Sequence, residues 1–157
     1  MPNQDLRLSF TVDPAWIDLY GHMNSAEYVK LFDLQGFILL DQVGLGESYT
    51  QATGCGIYMV DLRVRYLREL LAGQPIDLTL KVLASDEKRV LCLLELYRKE
   101  DGVLAATMEH LSINVNLSTR KVVPFSDEIA ARLQTWVAQH KSEPPYQPAL
   151  SLKPHKK

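Results

Sequence analysis

Cysteine is scarce in this chain: Cys55 and Cys92 are the only two among 157 residues. Two thiols so far apart have no metal-ligand spacing and cannot build a disulfide scaffold, which excludes a small secreted framework. Cys92 lies in the apolar run Val90-Leu91-Cys92-Leu93-Leu94 and reads as a small buried hydrophobe, while Cys55, between Gly54 and Gly56, reads as more exposed. Neither is assigned to catalysis. Charge of one sign is lacking as well. With 17 basic and 19 acidic side chains the net charge is −2, so there is no global field for nucleic acid or an anionic membrane. Apolar runs of membrane-spanning length are absent, and Met1-Pro2-Asn3-Gln4-Asp5 has neither the basic start nor the apolar core of a signal peptide. A cytoplasmic protein without nucleic-acid or membrane partners is expected. The glycines at 44, 46, 54 and 56 fit no nucleotide-binding fingerprint, and there is no internal repeat.

What is present is enough apolar material for one core, 46% of the residues. We expect one domain over residues 1–140 and a flexible tail over 141–157, where Pro144-Pro145 ends regular structure. Leu6 to Val12 alternates apolar and polar residues as a half-buried strand, closed by Asp13-Pro14. From Asn24 to Asp41 the chain is apolar nearly all the way round, predicting a helix largely wrapped by protein. A helical turn is expected near Glu47 to Gln51, then four strands. Val60, Leu62, Val64 and Tyr66 carry the first, and Ala72-Gly73-Gln74-Pro75 turns the chain into Ile76, Leu78, Leu80 and Val82 as a meander. Ser85 to Lys88 leads into the strand 89–99, and Asp101-Gly102 is a tight turn into Val103 to Leu117. In that last strand the parity of Met108 differs from that of Leu111, Ile113 and Val115, so a bulge is expected near Thr107 to His110. Ser126 caps a final helix with Ile129, Leu133, Trp136 and Val137 on one stripe. A curved antiparallel sheet around a buried helix, with a C-terminal helix, is an α+β architecture.

Residues 18 to 28 carry the chemistry. Asp18, Gly21, His22 and Asn24 fall just before the long apolar helix. A helix start offers unpaired N–H groups and the positive end of the dipole, so a carbonyl placed there is polarised, with Asp18 close enough to activate a nucleophile. An aspartate before a helix is also a common turn or capping group. His22 is a second base or, more often in a tight turn, a local hydrogen-bonding group. Asn24 reads first as the helix cap and second as a substrate contact, and Gly21 as a backbone conformation or close approach that a side chain would block.

The run Asp18-x-x-Gly21-His22-x-Asn24-x-x-x-Tyr28, followed by Arg65-Tyr66-Leu67-Arg68-Glu69 and Ala72-Gly73, resembles the hotdog-fold acyl-CoA thioesterases, in the branch typified by 4-hydroxybenzoyl-CoA thioesterase. The similarity covers roughly Leu6 to Arg132. It implies that Asp18 attacks the thioester carbonyl or serves as general base toward water, with the oxyanion held by the backbone N–H of Ser25 and of Ala26. No cofactor is implied, since coenzyme A is part of the substrate. It also implies a homodimer or dimer of dimers with sheets joined edge to edge, for which the Val103–Leu117 and Ile57–Arg68 strands are the candidate elements. Within the family, the forms Gly21-His22-Met23-Asn24 and Arg65 to Gly73 look most like thioesterases of carnitine breakdown acting on betainyl-CoA.

Binding residues follow from the same reading. Arg63, Arg65 and Arg68, with Lys88 and Arg89, are candidates for the CoA phosphates, because guanidinium forks suit phosphate oxygens. Charges alternating on a strand are also the ordinary mark of a solvent face. Tyr28, Phe32 and Tyr58 are candidates for the acyl pocket, and core packing explains each equally well. A trimethylammonium acyl group calls for aromatic faces or a carboxylate, for which Tyr28, Tyr58, Tyr66 and Glu109 are available. Two other readings stay open: a hotdog hydratase pairing His22 or His110 with Asp18 or Glu109, and a silent acyl-CoA-binding module.

Overall fold

Polar caps decide where the helices begin. Asn24 accepts the Ala26 N–H and opens helix α1 (Ser25–Val43), which ends at Gly44, whose φ of 102° suits a residue without a Cβ. Helix α2 (Glu47–Thr53) ends likewise at Gly54, and α3 (Asp127–Gln139) starts where Ser126 accepts the Ile129 N–H. The computed structural model describes residues 6–152. The signal-peptide reading of residues 1–5 and the end of the tail, 153–157, lie outside the described residues.

The sheet is antiparallel throughout. Its strands are β1 (Arg7–Thr11), β2 (Cys55–Tyr66), β3 (Pro75–Ser85), β4 (Arg89–Arg98), β5 (Val103–Asn116) and a short β6 (Lys121–Val122). Their order is β1-β3-β4-β5-β2, with β6 added to β5. Helix α1 lies on the concave face, where Phe32 and Leu39 are packed with Leu78, Leu80, Leu94, Leu96 and Met108 in one core, while Leu133 and Trp136 of α3 join at its end. This is the hotdog arrangement of a curved sheet around a helix. Among the described residues no helix is long and apolar enough to cross a membrane.

Four expectations need correction. First, β2 and β3 are not hairpin neighbours. The connection between them crosses the end of the sheet under the start of α1, with Leu70 fully buried and its carbonyl accepting the Met23 N–H at 2.8 Å. Second, β5 runs unbroken against β4 from Ala106 to Ile113; the register shifts instead at Ala105, Val60 and Leu83. The parity argument fails because β5 is buried on both faces, so apolar residues do not mark the side facing the helix. Third, β5 lies inside the sheet, covered by β4 and β2, and only β2 offers a free edge of the two strands named as interface elements. Fourth, α1 is wrapped on one side: Leu34, Phe37 and Ile38 are 54%, 43% and 50% exposed, because a single curved sheet covers only part of the helix.

The segment 141–152 has no helix or strand, yet it lies against the convex face. There the carboxylate of buried Glu109 accepts the Tyr146 hydroxyl at 2.8 Å and the N–H groups of Ala149 and Leu150 at 2.8 and 3.0 Å. Burial and that carboxylate push the Tyr146 phenol up to about 12. Both cysteines are free, and burial raises the Cys92 thiol to about 12, as its apolar run suggests.

Candidate active site

The turn that carries Asp18 is built by the backbone. Ile17 and Met23 face each other as an antiparallel bridge, the Asp18 N–H donates to the His22 carbonyl at 3.1 Å, and the Gly21 N–H returns to the Asp18 carbonyl at 3.0 Å. Gly21 closes it with φ 84°, the left-handed conformation that L side chains adopt at a cost. The Asn24 N–H reaches the Trp16 carbonyl at 2.9 Å, so the turn is moored on both sides of the helix start.

Asn24 joins the acid to the helix. Its Oδ1 accepts the Ala26 N–H at 2.9 Å and its Nδ2 donates to Asp18 Oδ2 at 3.1 Å. Asp18 Oδ1 accepts the Tyr20 N–H at 2.8 Å. The carboxylate is therefore both a turn-stabilising group and a half-buried acid fixed beside the first turn of α1. Asn24 is the cap expected, and its second bond goes to the acid. Because Ala26 donates to the Asn24 side chain and Glu27 to the Asn24 carbonyl, the Ser25 N–H is the first-turn donor left for an incoming oxygen.

His22 turns its Nδ1 toward the Met23 carbonyl at 3.1 Å and stacks on Tyr20 with centroids 6.3 Å apart. A carbonyl only accepts, so that bond needs the proton on Nδ1. This is the local role weighed for His22. Among the described residues neither His22 nor His110 forms a hydrogen bond or ion pair with Asp18 or Glu109.

Beside the turn lies a cavity of about 280 Å³ lined by His22, Ser25, Tyr28, Tyr66, Arg68 and Glu69, together with Met23 and Leu67. Tyr28 and Tyr66 meet edge to face, centroids 5.3 Å apart, and the Tyr66 hydroxyl donates to the Ser25 carbonyl at 2.9 Å. Burial raises both phenols, so they stay neutral. Five of the residues singled out from the sequence, His22, Ser25, Tyr28, Tyr66 and Arg68, thus share one cavity next to Asp18 and Asn24. Glu69 escapes the sequence reading as a lining group: it is more than forty residues from the turn, and no local pattern marks where the β2–β3 connection passes.

The other candidates stand elsewhere. Phe32 is fully buried in the core and lines a second cavity between α1 and the sheet. Tyr58 is on the convex side of β2, its hydroxyl accepting Arg120 Nη1–H at 2.8 Å. Arg63 and Arg65 register with Glu109 and Thr107 on that convex side, away from the cavity that holds Arg68. Arg68 itself donates to the Leu67 carbonyl at 2.7 Å, and Arg89 is tied to Asp86 at 2.9 Å in the β3–β4 turn with Lys88. Among the described residues no group of three or more His, Cys, Asp or Glu is placed to hold a metal ion.

Comparison with known proteins adds to this geometry. The sequence profile of the thioesterase-like superfamily matches residues 12–133. An L-carnitine dehydrogenase/betainyl-CoA thioesterase of Rhizobium meliloti is 35% identical over 136 residues, covering 86% of this chain and 27% of that protein. A betainyl-CoA thioesterase of Pseudomonas aeruginosa is 26% identical over 131 residues, 83% of this chain and 82% of that one. This chain thus spans about a quarter of the first and most of the second. A Staphylococcus aureus protein solved in complex with CoA superposes with a TM-score of 0.83 at 24% identity, over 95% of this chain and 92% of that one.

Proposed function

The chain belongs to the thioesterase-like superfamily, and from that premise we propose that it hydrolyses the thioester of a small acyl-CoA, betainyl-CoA in particular, with Asp18 as the catalytic carboxylate. The observation that carries this reading is the Asn24 bridge, which ties Asp18 to the capped first turn of α1. A thioester carbonyl at that turn has the Ser25 N–H for its developing oxyanion. The Asp18 carboxylate then either bonds to the carbonyl carbon or takes a proton from a water that does so. In both routes the C–S bond breaks and the CoA thiolate leaves with the electron pair. A thiolate is a good leaving group, so no separate acid is required. The first route leaves a mixed anhydride on Asp18 for water to open, and the second gives the free acid directly. No cofactor takes part, and CoA enters with the substrate.

Betainyl-CoA is favoured by the aromatic pair. The Tyr28 and Tyr66 rings, with the Glu69 carboxylate in the same cavity, suit a trimethylammonium group beside the reacting carbonyl. The relatives named for betainyl-CoA support the same acyl class. Arg68, at the rim of that cavity, is the better placed of the three arginines for a CoA phosphate. We further propose a homodimer formed through the free edge of β2 and the exposed Leu34, Phe37 and Ile38 face of α1, acting in the cytoplasm. The test is thiol release from a panel of betainyl-, acetyl-, longer aliphatic and aromatic CoA thioesters. Turnover led by betainyl-CoA is expected. Turnover led by an uncharged acyl group would remove the betainyl assignment, and none at all from folded protein would remove the enzyme.

A further inference from the structure

The concave face of β5 carries polar groups where a core would be apolar. Met108, His110, Ser112 and Asn114 are all buried on the side that faces α1. Asn114 is structural: it accepts the Tyr49 hydroxyl at 2.7 Å and donates to the Val123 and Pro124 carbonyls. Among the described residues the His110 and Ser112 side chains bond only to each other, Nδ1 to Oγ at 3.3 Å. A buried imidazole and hydroxyl with bonding capacity to spare are expensive unless something in the cavity uses it. Burial lowers the imidazole to about 4, so the ring is neutral and keeps one donor and one acceptor.

A cavity reaches them. About 110 Å³ of space, room for more than a single water, is lined by His110 and Ser112 with Phe32, Gly36, Leu94 and Met108. Asp33, Met59 and Met108 also line a shallower apolar groove of about 440 Å³ that runs along Ala26, Val29, Lys30 and Leu62. Ala26 follows Ser25 in the first turn, so groove and cavity form one path from the oxyanion amide down α1. At about 1.5 Å per residue, Phe32 and Gly36 stand roughly 10 and 17 Å from Ser25. A two-carbon acyl group ends far short of that depth. The path also leaves on the other side of the first turn from the Tyr28–Tyr66 cavity, whose lining it does not share.

We infer that His110 and Ser112 are specificity-determining residues that bind the distal hydroxyl of a longer acyl chain laid between α1 and the sheet, a second substrate class beside the small acyl group. The inference rests on the thioesterase reading. The test compares kcat/KM for ω-hydroxyoctanoyl-CoA and octanoyl-CoA, with acetyl- and betainyl-CoA assayed in parallel. Wild type is expected to favour the hydroxylated chain at least tenfold, since rejecting an apolar methyl there avoids stranding two buried polar groups. His110→Leu is expected to bring the ratio to about one or below, and Ser112→Ala to lower it. Equal turnover of the two chains, preference for octanoyl-CoA, or a ratio unmoved in both variants would overturn the inference. So would hydrolysis of only the short thioesters, which leaves the thioesterase reading standing. No thiol from any of the four would remove that reading and this inference with it. If His110→Leu does not fold, the wild-type ratio and Ser112→Ala decide.

Discussion

Asn24 performs two tasks through one side chain, and they can be separated. Its Oδ1 caps α1 through Ala26, and its Nδ2 holds Asp18 at 3.1 Å. Asn24→Ser keeps an oxygen able to cap the helix but loses the amide that reaches the acid. Serine and asparagine are nearly equal caps, so the capping contribution should be kept to within about 0.5 kcal/mol, and any larger loss of stability measures the bond to Asp18. A hydrogen bond to a charged group contributes about 1.5–3 kcal/mol, so if that bond positions the catalytic carboxylate, kcat should fall roughly ten- to a hundredfold. Asn24→Ala loses both tasks: the same catalytic defect plus about 1 kcal/mol of helix stability, or roughly 2–4 °C in Tm for a domain of this size. The assay pairs thermal unfolding with steady-state thiol release, read as kcat and KM separately, because a positioning defect lowers kcat more than it raises KM. Asn24→Ser with wild-type kcat would mean that the bridge is only a cap and does not position the acid.

Three other outcomes follow from the geometry. Tyr66→Leu removes a face of the aromatic pair and, because that ring is half-exposed, should raise KM for betainyl-CoA by about two- to fivefold while changing acetyl-CoA less, the span expected of a cation–π contact at an exposed site; equal effects on both substrates would count against the trimethylammonium site. The folded pKa of His110, about 4 against an ordinary 6.5, lies below the unfolded value, so its contribution is fully present above pH 6.5 and is lost as pH falls toward 4. Unfolding free energy should drop by up to about 1.4 kcal/mol per pH unit across that window, and His110→Leu should flatten the limb; an unchanged limb in the variant would assign it to other groups. Phe37→Glu places a charge on the exposed face of α1 and should shift sedimentation toward a monomer, whereas a wild-type chain already monomeric at micromolar concentration would contradict the proposed dimer.

Much of the fold is legible in the residues themselves. Asn24, Ser126 and the glycines at 44 and 54 mark helix ends by local capping chemistry, and period-two alternation marks β1, β2 and β3. Local signals stop where partners are chosen. That β2 pairs with β5 and not β3 depends on where Leu70 is buried, more than forty residues from the helix start it supports. The face of β5 is hidden from the pattern for a related reason: with both sides covered, Leu111 and Val115 need not face the helix, and the buried side is marked by His110 and Ser112 instead. The site divides in the same way. Asp18, Gly21, His22 and Asn24 are contiguous, and their relation is local. Tyr66, Arg68 and Glu69 join them only through the connection that crosses under α1, while Arg65 and Arg63, one and three strand positions before Tyr66, turn to the opposite face.

In the proposed mechanism the carboxylate before α1, Asp18, performs thioester hydrolysis. Measuring kcat/KM for betainyl-CoA with wild type and Asp18→Asn, both shown folded by thermal unfolding, tests it most directly. Asparagine keeps the size of the side chain and an oxygen for the Tyr20 N–H, but can neither attack a carbonyl nor take a proton from water. Measurable wild-type turnover is expected, with a loss on the order of a thousandfold or more in the variant, the scale of removing the principal catalytic group. Asp18→Asn turning over within a few fold of wild type would contradict it and move the chemistry away from this turn.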